Sequence, residues 1–324
     1  MNSSQRPVIG LDDVFGARAR ALRTLQSRLS VIYDEAGYEE VIPPLVERPQ
    51  SLEAGAGRFL SDQTLVFSDP ADTGLLAIRP DMTPQLARIA ATRMQDQREL
   101  KLYYSGPVML ARPDSRTGSR QQWQTGVECL GIGGEKGDIE IMHLAALSMH
   151  AAGFRSPVLQ VGHMGLLRAV VASGHTPLDV WAELLMRRSP EDMSAHLASE
   201  SLDQAHGQAL LAMAAGEADR GWLEVQSGKL DAAFDQAATE LLHLTDTVAT
   251  RLGGEVRVCV DAAVMPRFLY HSGIVFTGYA RGAAQALLHG GRYDAMMQSH
   301  GRDMPATGFS FDLLTWLNGG REDS

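Results

Sequence analysis

Cysteine is nearly absent: among 324 residues only Cys129 and Cys259 occur, with no CxxC pair and no metal-ligand spacing around either. That excludes a disulfide framework and a cysteine-held zinc site, and suits buried thiols in a reducing compartment. Basic residues are the scarcer charge, 29 against 39 acidic, for a formal net charge of -10. A protein built mainly to grip phosphate backbones would carry the reverse balance or a dense basic patch. The densest basic group, Arg112, Arg116 and Arg120, is small. Nowhere do about 18 apolar residues run uninterrupted, and residues 1–10 lack the apolar core of a secretory signal. The expected location is therefore the cytoplasm, with no membrane partner.

Several catalytic signatures are missing as well. GxxxxGK[ST] does not occur, and Gly131-Ile-Gly-Gly-Glu-Lys-Gly lacks the GxGxxG spacing and follows a strand, so it reads as a glycine-rich turn. The ten histidines include no HExxH, and His143 and His150 lie two helical turns apart, too far along a helix for one ion. No metal and no cofactor is assigned. No GxSxG elbow or cysteine nucleophile signature is present.

What is there is a chain 44% hydrophobic and 21% charged, the balance of a folded protein. At this length roughly 75% of the unfolded surface can be buried, so no covalent staple is needed. Leu22, Leu25, Leu29 and Ile32 recur at helical spacing behind a cap at Asp12 or Asp13, and Gly37 ends that helix. A proline-broken edge strand follows at 38–46, then strands at 64–67 and 75–78 and a helix with Leu86, Ile89 and Ala90 inward. Residues 102–110 and 122–130 read as a long hairpin around a polar arm, Asp138 opens a helix that ends at Gly153, and 158–161 is a strand. From 177 to 253 the chain is rich in Ala, Leu, Glu and Gln without strand signals, which predicts a helical insertion. Strands resume at 255–260, 268–279 and 286–289, followed by a final helix around 308–317. The pattern predicts an α+β fold with a mainly antiparallel sheet flanked by helices, split by the insertion into a first core part, 1–176, and a second, 254–324.

A set of polar residues sits in or beside apolar strands: Asp81, Thr83, Gln124, Glu128, Tyr270 and Arg292. Gln124, Gly126 and Glu128 alternate along one strand, so all three share a face and the glycine leaves room between two polar arms. Such a face is a ligand floor, an internal hydrogen-bond network or a solvated sheet face.

In this order the segments resemble the catalytic core of the class II histidyl-tRNA synthetases over nearly the whole chain. Gly37-Tyr-Glu-Glu-Val-Ile-Pro-Pro-Leu-Val-Glu resembles motif 1, Arg79-Pro-Asp-Met-Thr-Pro the loop that holds the histidine amino group, and Gln124-Thr-Gly-Val-Glu-Cys-Leu-Gly the second strand of motif 2. Gly290-Gly-Arg-Tyr-Asp and Ala306-Thr-Gly-Phe-Ser-Phe resemble the late glycine-rich turn and the start of motif 3. The resemblance implies a class II synthetase-like fold and a histidine-like pocket formed by Asp81, Thr83, Gln124, Glu128, Tyr270 and His271. Here His271 stands for a second tyrosine and Leu269 for an aspartate of the family pattern.

Amino-acid activation needs fixed positive charge at the α-phosphate of ATP. Three arginines supply it in the family, and they align with Met109, Pro266 and Thr315. Arg112 and Arg267 are offset by three and one residues, which turns them to the other face of a strand, and Arg321 lies beyond Gly319 and Gly320. The chain also stops where an anticodon-binding domain would begin, and its charge offers little to tRNA. A shortened, disarmed core of this kind resembles the regulatory subunits of ATP phosphoribosyltransferase. That resemblance implies a non-catalytic role in the first step of histidine biosynthesis and its feedback control. It also implies a short-form catalytic subunit as partner, self-association into a homodimer through 38–47, histidine as ligand, and no tRNA. Two other classes stay open: an adenylating enzyme with its arginines replaced from elsewhere, and a direct phosphoribosyltransferase. For the second, 170–176 is the nearest phosphate loop, and it lacks the paired acids.

Overall fold

The computed structural model describes residues 8–55, 57–114, 117–266, 270–283 and 285–318. Helix α1 (Gly16–Glu35) leads into the short strands β1 (Glu39–Glu40) and β2 (Val46–Glu47), helices α2 (Pro49–Glu53) and α3 (Gly57–Asp62), and strands β3 (Leu65–Ser68) and β4 (Leu75–Ile78). Helix α4 (Thr83–Arg93) precedes the hairpin β5 (Leu100–Met109) and β6 (Gln121–Leu130), then helix α5 (Gly134–Ala151) and strand β7 (Val158–His163). A run of helices follows: α6 (Met164–Val170), α7 (Leu178–Arg187), α8 (Pro190–Leu197), α9 (Gln204–Ala215), α10 (Arg220–Gln226) and α11 (Ala232–Leu252). The chain returns through β8 (Arg257–Val260), β9 (Ile274–Tyr279), β10 (Leu288–Arg292), helix α12 (Asp294–Ser299), β11 (Ala306–Asp312) and helix α13 (Leu313–Asn318).

The main sheet runs β1-β5-β6-β11-β10-β9-β7-β8, and β2-β4-β3 form a small second sheet. Pairing is antiparallel through the middle of the main sheet, and parallel only where the edge strands β1 and β8 meet β5 and β7. This is the α+β arrangement that the strand pattern predicts.

The two faces of the sheet are covered differently. On one, α1 buries Leu22, Leu25, Leu29 and Tyr33 at spacings of three and four against α5. The Tyr33 hydroxyl there meets Ser148 Oγ at 2.9 Å. Val127, Phe309 and Phe311 point into this core, where Phe311 stacks on Trp316 with ring centroids 3.7 Å apart. On the other face, α4 and α12 cover one end with Met82, Leu86, Met296 and Met297, leaving a cleft beside them. The insertion helices bury Trp181, Met193 and Leu210 in the same core as the α5 side. No described helix is long and apolar enough to cross a membrane.

Several element boundaries differ from expectation. Helix α1 is capped by Phe15, whose backbone is extended and whose side chain makes no cap bond; neither Asp12 nor Asp13 caps it. Helix α5 begins a turn before Asp138, with Gly133 as its extended N-cap, because Asp138 is needed inside the structure to bind Arg292. Strand β9 begins only at Ile274, and 268–269 of the expected strand lie outside the described residues: the carbonyls of His271 and Ser272 accept hydrogen bonds from the Arg168 guanidinium, and the Ser272 N–H donates to the Arg292 carbonyl at 2.7 Å, which holds this stretch as a loop beside β10. Residues 308–312 are strand and not helix, since Phe309 and Phe311 alternate with Gly308 and Ser310 at period two; the last helix starts at Leu313.

Candidate ligand-binding site

Two segments build the floor of the cleft. Arg79, 4% exposed, donates to the carbonyls of Pro43 at 2.7 Å and Pro107 at 3.0 Å, which ties its loop to β5 and to the proline-broken segment. With the loop fixed, Asp81 Oδ1 accepts from the Thr83 N–H at 3.1 Å, and α4 starts there with Pro84 in its first turn. Strand β6 supplies Gln124 and Glu128 on the cleft face. Gln124 Nε2 donates to Asp81 Oδ1 at 2.7 Å, while its Oε1 accepts from the Met82 N–H at 2.9 Å. The loop and the strand are thereby locked together.

Glu128 lies deeper, 1% exposed, and is surrounded by hydroxyls. Its Oε1 accepts from Thr83 at 3.0 Å and Tyr104 at 3.3 Å, and its Oε2 accepts from Tyr293 at 2.5 Å. Burial nevertheless outweighs these donors and pushes its carboxyl up to about 8, with the nearby Asp81 charge adding to the rise. The same burial, next to Glu128, holds the Tyr104 and Tyr293 phenols well above their ordinary range. Tyr270 reaches Asp81 Oδ2 at 3.4 Å and stacks on His271, ring centroids 4.6 Å apart, to close one wall.

The structure thus brings Thr83, Gln124, Glu128, Tyr270 and His271 to one cleft of about 70 Å³, while Asp81, 1% exposed, does not line it and instead holds Gln124 and Tyr270 from behind. Arg292 is not part of it: it pairs with Asp138 at 2.9 Å and Asp294 at 3.3 Å, joining β10 to α5 and α12. The space above Gly126 is not open either, because the Tyr104 ring occupies it and a Cβ there would overlap the phenol. At Gly308 a Cβ would overlap Glu128 Oε2. Tyr104 escapes sequence reasoning because a tyrosine in an apolar strand reads as core, and Tyr293, just past β10 at the N-cap of α12, because its motif-like segment reads as a turn. For Tyr104 a signal was Gly126, directly opposite it in the β5–β6 ladder, and for Tyr293 its place in Gly290-Gly-Arg-Tyr-Asp. Among the described residues no group of His, Cys, Asp or Glu is arranged to hold a metal ion.

Comparison with known proteins decides the family. Residues 10–315 match the family described as Histidyl-tRNA synthetase. The chain is 34% identical over 311 residues to the ATP phosphoribosyltransferase regulatory subunit of Thioalkalivibrio sulfidiphilus, covering 94% of this chain and 79% of that one. Its identity to the regulatory subunit of Alkalilimnicola ehrlichii is also 34%, over 314 residues, 94% of this chain and 78% of the other. The chain belongs to the ATP phosphoribosyltransferase regulatory subunit family. Among solved structures, a Bacillus halodurans protein described as an ATP phosphoribosyltransferase regulatory subunit/histidyl-tRNA synthetase superposes with a TM-score of 0.86 at 23% identity, covering 100% of this chain and 86% of that one. A histidyl-tRNA synthetase from a Nostoc species superposes with a TM-score of 0.75 at 18% identity, over 97% of this chain and 74% of its own. Both share the class II synthetase-like fold.

Within this regulatory-subunit scaffold, the three aligned arginine positions take different places. Thr315 does line the cleft, and its N–H and hydroxyl bind Asp312 Oδ2 at 3.1 and 2.7 Å, so a carboxylate and its cap stand where a cation was expected. Met109 does not face the cleft: it pairs with Gln121, whereas Val108 pairs with the cleft-lining Gln122. The cleft-side neighbours at the end of β5 are therefore Val108 and Leu110, each 1% exposed. Pro266 is buried. Arg112 lies past the end of β5 and lines a second cavity adjoining the cleft, so it is not turned away as its offset implied. Arg267, Leu269, Arg116 and Arg321 lie outside the described residues.

Proposed function

We propose that this chain acts as a non-catalytic regulatory subunit: it binds the short-form catalytic subunit of ATP phosphoribosyltransferase and sets its activity, in the first step of histidine biosynthesis, in response to histidine. The observation that carries this reading is the charge of the cleft. Its described lining includes Asp114, Glu128 and Asp312 but no arginine or lysine. Burial keeps Glu128 protonated near neutral pH while the cleft is empty; a bound ammonium or imidazolium would favour its ionised form, whereas a triphosphate would meet no described cation to pair with. We assign histidine contacts to Thr83, Gln124, Glu128, Tyr270 and His271, with Asp81 positioning Gln124 and Tyr270 from behind.

Self-association fits the same reading. Ile42 is 82% exposed and Leu45 46% exposed in the motif 1-like segment, and Val66, Phe67 and Leu75 of the small sheet are also exposed, an apolar surface suited to a second copy. The net charge of -10 supports a role without tRNA. Regulation would work through different affinities for active and inactive states of the catalytic subunit, a coupling of about 1 to 3 kcal/mol. The test is phosphoribosyl-ATP formation by the short catalytic subunit, with and without this chain, across a histidine series, alongside gel filtration of the mixture. The expected result is co-elution, faster turnover and histidine inhibition that depends on this chain. Independent elution with unchanged turnover refutes the assignment.

A further inference from the structure

The cleft opens sideways into a larger cavity of about 760 Å³, with Asp114, Gln285 and His289 in walls common to both. Strand register explains why the two are continuous. Gln160 of β7 pairs with Thr277 of β9, Thr277 with His289 of β10, and His289 with Ser310 of β11, so one row of polar side chains crosses the cleft face of the sheet. The ladder continues through Gly126 to Tyr104, beside Glu128.

Thr277 is 5% exposed, lines the larger cavity, and its hydroxyl has no hydrogen-bond partner. Gln63 Oε1, which also lines this cavity, is buried and equally without a partner. Buried polar atoms are almost always satisfied, so two orphans lining one cavity mark a place where something else completes the bonding. The cavity also has a defined charge pattern. Asp114 places a carboxylate in the wall and Arg188 is held by Asp261 at 2.6 Å, whereas the exposed Arg112 guanidinium makes no ion pair or hydrogen bond among the described residues. Val264 and Met265 add an apolar wall.

We propose that this cavity is a second small-molecule site, separate from the amino-acid cleft, for a nucleotide-sized organic phosphate. The phosphate sits on Arg112, a ring lies against Val264 and Met265, and polar ring or ribose groups meet Thr277 and Gln63. The size is right, since ligand pockets of 300 to 1,000 Å³ are typical for such molecules. A cavity with both apolar and polar walls and, among the described residues, one cation without a partner selects an anion with an aromatic body over a bare ion.

Isothermal titration of the full chain with AMP, GMP, adenosine, ribose 5-phosphate and inorganic phosphate tests this. At least one nucleoside monophosphate is expected to bind, with its nucleoside and the bare phosphate each several-fold weaker or more, since the bond to the exposed Arg112 is partly screened by water and the ring contacts add to it. Arg112→Gln and Thr277→Val should each weaken nucleotide binding by a similar factor. Thr277→Val removes an orphan hydroxyl and keeps the shape, so its unliganded Tm should be no lower than the parent's, which separates loss of the site from loss of the fold. The proposal is overturned by failure of every nucleotide to bind at millimolar concentration, by inorganic phosphate binding as tightly as the nucleotides, or by binding that both variants leave unchanged.

Discussion

Replacing Glu128 with glutamine should change how the protein's stability depends on pH, and the structure sets the size of the effect. Glu128 is 1% exposed, and burial raises its carboxyl from 4.5 to about 8. Between those values the folded chain holds a proton that the unfolded chain has released. Stability is therefore complete below 4.5 and is lost as pH rises through 8. At 1.36 kcal/mol per pH unit, the loss by pH 7 is about 3 kcal/mol, and near pH 8 it approaches about 5 kcal/mol. The Glu128→Gln variant keeps the shape and cannot ionise, so it lacks this slope. Relative to the parent, its Tm should climb by roughly 4 to 6 °C between pH 5 and pH 7. Thermal melts of both proteins at half-unit pH steps read the difference. Any fixed cost of fitting the amide among the Thr83, Tyr104 and Tyr293 hydroxyls shifts the whole difference curve without tilting it. A difference that stays flat from pH 5 to pH 8 refutes the view that Glu128 is a desolvated acid awaiting a cation.

Gly308→Ala would drive a Cβ into Glu128 Oε2, and overpacking of this kind costs about 1 to 3 kcal/mol; denaturant midpoints should show it, together with weaker histidine binding by calorimetry. Arg168→Met removes the donors that hold the His271 and Ser272 carbonyls at 2.9 and 2.7 Å, so histidine affinity should fall about tenfold while the far-UV circular dichroism stays unchanged; unaltered affinity would deny Arg168 its positioning role. Incubation of the isolated chain with ATP, labelled pyrophosphate and histidine should give no exchange above a blank, and a clear histidine-dependent signal would instead restore the adenylating reading. Sedimentation at micromolar concentration should give a dimer that Ile42→Glu converts to monomer, as expected for an interface of about 2,000 Å² or more; a monomeric parent would remove the self-association proposal.

The sequence by itself determined the elements whose pattern is local. Leu22, Leu25 and Leu29 mark α1, the hairpin 102–130 announces itself by two apolar strands around a polar arm, and the helical insertion shows as a change of composition. Motif resemblance carried the cleft as well: Asp81, Thr83, Gln124, Glu128, Tyr270 and His271 were all nameable before their distances were known. Period two and period 3.6 are properties of neighbouring residues, so they survive in a bare string of letters. Only the tertiary structure decided what depends on pairing between distant strands. Thr277 sits beside Gln160 and His289 because of register, across separations of more than 100 and of 12 residues, and no local rule specifies that. The same is true of Tyr104, core-like in sequence, and Tyr293, turn-like in sequence, which both donate to Glu128 in space, and of Met109, which one step of strand alternation turns away from the cleft. Where Arg168 took the carbonyls of His271 and Ser272, a long-range side chain overrode a strand-like sequence, since a carbonyl satisfied by a guanidinium no longer needs a neighbouring strand.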